Sequence, residues 1–226
     1  MDSNFGSWPP ASTRDAVYVS LRERILSLEL APGASLSEKE MSLRYNVSRT
    51  PVRESFLRLA EEGLLFILPQ RGTYVSLIDT ELVEESRFMR EQLESAVIRL
   101  ACAKFPEEGL AELERNLRDQ LDCIGKQDDK RMFELDEAFH RTIFEGCRKR
   151  NTWALIQKMN AQLNRARMLR LVADHRWEHL YAQHRRMADA IIRRDPDGGE
   201  RVMREHLSLP IADLAVLKEQ YPHYFK

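Results

Sequence analysis

The signals for β-structure in this chain of 226 residues are confined to its first 78 residues. Two short runs rich in branched and aromatic residues, 64–68 and 73–76, flank the turn residues 69–72 and predict a β-hairpin. From residue 79 onward, apolar residues recur every three or four positions, which predicts helices. We therefore expect a mainly α protein built from two different halves.

The composition is that of a soluble globular protein, with 43% hydrophobic and 31% charged residues. The apolar runs are far shorter than the roughly 18 residues of a membrane span, so no membrane association is expected. Three widely spaced cysteines without metal or disulfide spacing are typical of a reduced cytoplasm. Residues 1–12 have neither a basic nor an apolar signal region and are interpreted as a flexible tail.

The charge balance gives no global indication of nucleic-acid binding. The formal net charge is −1, and residues 1–78 contain nine Lys or Arg and nine Asp or Glu. The first half therefore lacks the basic pI of many DNA-binding domains. A DNA-binding surface would have to arise from local clustering of cations.

The first half contains signals for three helices before the hairpin. Apolar spacing predicts a first helix that ends before Pro32. Ser37, followed three residues later by Glu40, forms a capping box that begins a short second helix. Ser48 offers an N-cap hydroxyl to a third helix, which Gly63 ends. Three helices, with a short turn between the last two, and a hairpin predict a winged helix-turn-helix.

The third helix begins with cations at the end where the helix dipole is already positive. Arg49 and Arg53 lie in or next to this first turn, where acidic residues would be stabilising. Phosphates of DNA would supply the missing anion, and Ser48, Thr50 and the hairpin residue Arg71 could contact the same polyanion. The alternative is that the arginines are solvated surface residues paired with acidic neighbours.

Three motifs of this half resemble the GntR family of bacterial transcription regulators. They are PGxxLSE at 32–38, VSRTPVRES continuing to 64, and the PxRGxxV hairpin at 69–75. The resemblance covers residues 13–78 and implies a winged helix-turn-helix domain that binds double-stranded operator DNA. The residues that it implies as DNA contacts are Lys39, Ser48, Arg49, Thr50, Arg53, Arg71 and Gly72.

The second half, 79–226, is predicted to be an all-α helical bundle of about six or seven helices. Breaks in the apolar periodicity mark the ends of these helices. They fall near 105–106, 125–129, 146–150, 173–176 and 194–199.

Within the bundle, one acidic residue and three histidines have spacings that could enclose a metal ion. Asp136 and His140 share a helix face at i and i+4. His184 and His206 lie at similar distances before and after the turn near residue 196, so they would be level on two antiparallel helices. One carboxylate and three imidazoles suit zinc or another late divalent metal such as nickel, with positions left for water or a ligand.

Spacing alone leaves other interpretations open. Histidines in helices are commonly surface residues or hydrogen-bonded core residues, and the chain has six of them. His175 and His179 form a second pair at i and i+4, although His175 falls in an expected loop. The metal site and the purely structural cluster both remain hypotheses at this point.

This half resembles the FCD effector domain of the FadR subgroup of GntR regulators. The matching segments are 136–140, 184–191 and 203–207. Many members have glutamate where this chain has Gln183, a departure that removes no ligand. The metal ligands that the resemblance implies are Asp136, His140, His184 and His206.

The segment 90–94 resembles the RxxLE motif in the first helix of that domain. By this resemblance Arg90 could bind the carboxylate of a small effector while the metal holds its other end. The alternative is an exposed Arg90–Glu94 pair within one helix, worth only about 0.3–0.5 kcal/mol.

Together these features predict a ligand-responsive DNA-binding regulator, and the resemblance implies a homodimer on a palindromic operator. An enzyme is not expected. Glu137 and His140 form a single Glu-x-x-His unit without the second copy of di-iron bundles, and nucleophile and phosphate-loop motifs are missing. The alternative function is a non-inducible DNA-binding dimer whose helical domain is purely structural.

Overall fold

The residues that the computed structural model describes are 13–126, 128–174, 177–212 and 214–226. The predicted flexible tail, 1–12, lies outside these residues. The chain divides into two compact units, Met1–Leu77 and Ile78–Lys226, which are described separately below. The mainly α fold class, with a small sheet near the N-terminus, is as predicted.

The first unit contains three helices and three short strands. They are α1 (Thr13–Leu26), β1 (Ser35–Leu36), α2 (Glu38–Tyr45), α3 (Arg49–Glu61), β2 (Leu65–Leu68) and β3 (Gly72–Val75). The sheet is antiparallel with β3 in the centre, and Leu65 pairs with Val75 while Leu68 pairs with Gly72. The predicted hairpin is therefore present. Strand β1 was not predicted, because two residues are too few to show an alternating pattern.

Local turn chemistry sets the helix boundaries of the first unit. Helix α1 is followed by Leu28 in a left-handed conformation (φ 63°), and Asn46 ends α2 in the same way (φ 51°). Ser37 caps α2 by accepting a hydrogen bond from the Glu40 amide. Ser48 occupies the N-cap position of α3, but its side chain makes no cap hydrogen bond in the described part of the chain. Ser48 therefore lies at the expected position, but the hydrogen bond expected from its hydroxyl is not formed, and the residue is exposed.

Helix α3 buries one face against α1 and leaves the other exposed. Val52, Phe56 and Leu59 are each at most 1% exposed, as are Leu21 and Ile25 of α1. This core fixes the rotation of α3 about its axis. The polar residues of its first turn are consequently presented to solvent.

The second unit contains eight α-helices and a short 3₁₀ helix among its described residues. They are α4 (Thr80–Ala103), α5 (Glu107–Lys126), α6 (Asp129–Gly146), α7 (Arg150–Met159), α8 (Ala161–Asp174), α9 (Trp177–Arg193), α10 (Pro196–Ala212), α11 (Leu214–Gln220) and the 3₁₀ helix Pro222–Tyr224. Six or seven helices were expected. One additional boundary lies at Asn160 between α7 and α8, where no glycine or proline marks it in the sequence.

The bundle surrounds an apolar core that encloses a group of polar side chains. Helix α4 packs against α10, α8 and α9, while α5 packs against α6 and α9. Phe139, Met187 and Ile98 are among the core residues of this unit, and each is at most 1% exposed. Beside this core lie buried polar residues, of which Arg90 and Arg165 are the largest. None of the helices in the described segments has both the length and the hydropathy of a membrane span.

Candidate DNA-binding surface and metal centre

The seven residues implied as DNA contacts are all exposed on the first unit. They are Lys39 of α2, Ser48 at the start of α3, Arg49, Thr50 and Arg53 of α3, and Arg71 and Gly72 of the hairpin. The first turn of α3 contains no acidic residue. The helix dipole and the cations of the first turn therefore have the same sign of charge where α3 begins.

The arginines of this surface differ in their partners. Arg49 donates to Glu38 at 3.1 Å, although its side chain is 68% exposed. Lys39, Arg53 and Arg71 form no ion pair with any described residue. An exposed ion pair is worth about 0–1 kcal/mol, so a phosphate could replace Glu38 at little cost. The alternative of pairing with acidic neighbours thus applies to Arg49 alone.

The four residues implied as metal ligands come together inside the second unit. Helix α6 contributes Asp136 and His140, α9 contributes His184, and α10 contributes His206. All four are buried, and one ligand atom from each lies within 4.8 Å of the others. The Nε2 atoms of His184, His206 and His140 lie 3.5, 3.7 and 4.0 Å from Asp136 Oδ1. The three imidazoles therefore converge on one carboxylate oxygen.

Two glutamines orient two of these imidazoles. His184 Nδ1 lies 2.9 Å from Gln120 Oε1, and His206 Nδ1 lies 3.1 Å from Gln183 Oε1. An amide oxygen only accepts, so each Nδ1–H donates to it and each Nε2 directs its lone pair into the cluster. This is the arrangement by which outer partners prepare histidine for a metal. Gln183, the departure from the FCD pattern, thus still supplies an acceptor.

The third imidazole faces a buried carboxylate that the sequence interpretation missed as a site residue. His140 Nδ1 lies 2.5 Å from Glu94 Oε2, and Arg90 Nε donates to Glu94 Oε1 at 2.5 Å. Burial raises the pKa of Glu94, but the charges of Arg90 and His140 outweigh it and hold that pKa at about 2. The Arg90–Glu94 pair within one helix therefore forms, but it is buried rather than exposed.

The charges of the cluster favour metal binding. Burial raises the pKa of Asp136, yet the charge of Arg167 and the three histidines keep it well below its usual range. Arg167 Nη2 donates to Asp136 Oδ2, which leaves Oδ1 facing the imidazoles. Burial lowers the pKa of His184 to about 3, and it also lowers the pKa of His206. At neutral pH the site thus presents an anionic oxygen and at least two neutral imidazoles.

The chemistry of the donor set fits a late divalent metal. His184 Nε2 is buried without a hydrogen-bond partner among the described groups, and His140 Nε2 lies 3.0 Å from His206 Nε2. Atoms about 2.1 Å from one ion lie about 3.0–3.4 Å apart, so modest adjustment would place all four around one centre. Unpaired buried polar atoms cost about 1–3 kcal/mol each, which a cation would recover here. One carboxylate and three imidazoles suit zinc or nickel.

Arg90 lies beside this cluster rather than on the surface. It is 1% exposed, its Nη1 lies 3.8 Å from Glu137 Oε1, and its Nη2 has no hydrogen-bond partner in the described structure. Arg167 donates to the same Glu137 oxygen at 2.6 Å and to Asn164 Oδ1 at 3.0 Å. Arg165 is also buried, and burial lowers its pKa to about 10. The guanidinium groups of Arg90 and Arg167 thus border the candidate metal centre, joined by their shared contact with Glu137.

Of the competing histidine pair, only His179 lies among the described residues, and it is not part of the cluster. His175 lies outside the described residues, and His179 is exposed on α9.

Gln120 was missed because a polar residue within an amphipathic helix is usually a surface residue. The available signal was its spacing from Leu113 and Leu117, which places it on the buried face of α5.

A winged helix-turn-helix unit followed by an all-helical unit defines a class of DNA-binding transcription regulators. Residues 13–75 match the family described as "Bacterial regulatory proteins, gntR family", and residues 85–209 match the FCD domain. The chain belongs to the GntR family, as its motifs indicated, and is a DNA-binding transcriptional regulator of the GntR/FCD type.

Similar proteins carry the names of regulators, not of enzymes. The HTH-type transcriptional repressor RspR of Escherichia coli K12 is 36% identical over 217 residues, which cover 96% of this chain and 95% of RspR. A regulator in an unstable DNA locus of Streptomyces ambofaciens is 36% identical over 218 residues, covering 95% and 90%. Among solved structures, E. coli McbR/YncC shares the fold with a TM-score of 0.78 at 22% identity, covering 94% of this chain and all of that chain.

Proposed function

We propose that this regulator binds operator DNA as a homodimer and that a small carboxylate effector controls its affinity for DNA. The effector would bind beside a divalent metal ion, zinc or nickel, held by Asp136, His140, His184 and His206. The observation that carries the proposal is the convergence of four buried ligand atoms within 4.8 Å. A metal ion would give these three histidines and the carboxylate a common partner inside the apolar core.

The metal would supply a Lewis-acid position for a carboxylate oxygen of the effector. Arg90 would hold the anion from the other side, because its unpaired Nη2 is a buried donor next to the cluster. Its Nε remains on Glu94, which fixes the orientation of the guanidinium plane. The glutamines keep the imidazole lone pairs directed at the centre.

DNA contact is proposed through the exposed start of α3, helped by α2 and the hairpin. Arg53 has no described ion-pair partner, and Arg49 could exchange Glu38 for a phosphate or a guanine edge. Ser48, whose hydroxyl makes no cap bond, and Thr50 could donate to phosphate. Lys39, Arg71 and Gly72 would contact the backbone on either side.

Control of DNA affinity requires that the effector bind one dimer geometry better than another. An effector that contacts α4 through Arg90 and α6, α9 and α10 through the metal would change the packing of four helices. The same proposal includes a cytoplasmic location, where operator DNA is found.

The first test is the metal content per chain of tag-free wild type, His184→Ala and His179→Ala. We expect about one zinc or nickel in the wild type and in the His179 control, because His179 is exposed on the same helix. We expect loss of metal in the His184 variant. Operator affinity of each protein is then measured without an effector and should be similar.

If the wild-type protein contains no metal after dialysis against zinc or nickel, the metal-dependent part of the proposal is contradicted. It would favour the alternative, a non-inducible DNA-binding dimer with a structural helical domain. In that alternative, the contact of 3.0 Å between His140 Nε2 and His206 Nε2 would be a structural hydrogen bond within the core. Equal metal in all three proteins would contradict the ligand assignment itself.

A further inference from the structure

The segment 222–226, which consists of the 3₁₀ helix and the two residues after it, holds the first residue of the second unit. The Ile78 amide donates to the Tyr224 carbonyl at 2.7 Å, and the Lys226 amide donates to the Ile78 carbonyl at 3.1 Å. These two bonds form a parallel β-bridge between Ile78 and Phe225. Ile78 is 0% exposed and Phe225 is 7% exposed, so the contact is buried.

The same segment contacts the start of α4. Asp79 Oδ1 caps α4 by accepting from two amides of its first turn, and Lys226 Nζ lies 2.7 Å from Asp79 Oδ2. Because the Lys226 side chain is 62% exposed, this ion pair contributes little stability. The two backbone hydrogen bonds and the buried Phe225 therefore provide most of the attachment. From α8, Gln162 Oε1 accepts from the Asp79 amide at 3.4 Å.

The first unit has its own anchor just before this point. The Ser76 amide donates to the Leu64 carbonyl at 3.0 Å, next to the paired strands β2 and β3. The boundary between the compact units falls between Leu77 and Ile78. Leu77 alone therefore separates an anchored residue of the first unit from an anchored residue of the second. Detachment of residues 222–226 would release Ile78 and lengthen this connection.

We propose that residues 222–226 form a strap that confines the hinge between the two units to Leu77, and that the strap thereby raises the affinity of the dimer for its operator. When two chains bind one operator, both winged units occupy fixed positions, so each freely rotating hinge residue has to be ordered on binding. Ordering one backbone residue lowers affinity about tenfold. The strap orders Ile78 before DNA is bound. This inference rests on the DNA-binding homodimer proposed above and is independent of metal and effector.

A first test measures the hinge without DNA. The strap is deleted (residues 222–226) or weakened by Phe225→Ala, and His223→Ala, at an exposed residue of the same segment, is the matched control. Circular dichroism and sedimentation confirm that each variant is folded and dimeric. We expect the peptide 76–80 to exchange hydrogen for deuterium about tenfold faster in the deletion protein, because the Ile78 amide loses its acceptor. Phe225→Ala should have a smaller effect and the control none. Exchange as slow as in the wild type in both strap variants overturns the proposal.

A second test separates a hinge from a purely structural role. The DNA duplex that the wild type selects from a random-sequence pool is compared with a duplex that contains one half-site. A single winged unit binds the half-site, so hinge order should matter there little. We expect strap deletion to weaken binding to the full duplex about tenfold and to leave half-site binding unchanged. Insertion of two glycines between Leu77 and Ile78 lengthens the hinge while the strap stays in place, and it should have the same effect.

Two outcomes of this second test overturn the strap. One is full-site affinity that neither the deletion nor the insertion changes, and the other is an equal loss of affinity for both duplexes. A wild type that binds the full duplex no better than the half-site contradicts the DNA-binding dimer itself. Failure of the proposed function is thus distinguished from failure of the strap.

Discussion

Gln183→Leu should weaken metal binding although Gln183 is not a proposed ligand. Its Oε1 accepts from His206 Nδ1 at 3.1 Å, and the residue is 3% exposed. Leucine keeps a similar volume but removes the acceptor. The imidazole then loses the contact that fixes its tautomer and raises its basicity, and Nε2 becomes a poorer ligand.

Loss of such an outer partner costs about 10- to 100-fold in metal affinity. This range corresponds to about 1.4–2.7 kcal/mol. The buried Nδ1–H that remains unpaired should also lower the free energy of unfolding by about 1–3 kcal/mol. Gln183→Glu is the matched control, because a carboxylate at this position still accepts from Nδ1 and strengthens the imidazole as a ligand.

The assay is competition for zinc against a chromophoric chelator at pH 7.5, with folding of each variant checked by circular dichroism. We expect Gln183→Glu to bind zinc at least as tightly as the wild type, and Gln183→Leu to bind zinc clearly more weakly than both. A folded Gln183→Leu protein with the affinity of wild type would refute the argument that this contact prepares His206 for the metal.

Three further outcomes are expected. Arg53→Ala should weaken operator binding by about 1–3 kcal/mol if Arg53 contacts a base, or reduce the salt dependence of binding by about one unit of slope if Arg53 contacts a phosphate. Fluorescence anisotropy at several salt concentrations distinguishes these cases, and Arg115→Ala on α5 serves as the control. Unchanged affinity and slope would exclude a contact between Arg53 and the operator. Metal-free protein should lose stability as pH falls from about 6.5 toward 3, because unfolded His184 binds its proton near 6.5 while burial lowers its folded pKa to about 3. The contribution of this residue is at most about 1.4 kcal/mol per pH unit, and a constant Tm between pH 7 and 5 in chelator would contradict it. Cys102 and Cys147, whose pKa values burial raises to about 11, should react slowly with a thiol reagent at pH 8 and quickly after denaturation. Rapid reaction of the native protein would contradict these raised pKa values.

Local chemistry made the first unit predictable from the sequence. The Ser37 cap, the left-handed Asn46 and the hairpin turn each depend on residues within a few positions of one another. Such interactions are determined before any distant contact forms, so a single sequence displays them. The two-residue strand β1 escaped because its only partner, β3, lies far along the chain.

The candidate metal site was predictable in part. Helical periodicity places Asp136 and His140 on one face, and the turn near residue 196 makes His184 and His206 level. The family resemblance, which the comparisons confirm, added the reason to group them. Their roles as metal ligands stay a prediction that the metal measurements will decide.

Other features depended on the tertiary structure. Glu94 and Gln120 acquire their significance from packing between α4, α5, α6 and α9, and Arg90 changed from a possible surface pair to a buried one. The sequence by itself determined most of the helices, the winged unit and the family. Only the packed bundle decided which polar side chains lie inside, because the rotation of each helix depends on contacts with several distant helices, which periodicity along one helix does not encode.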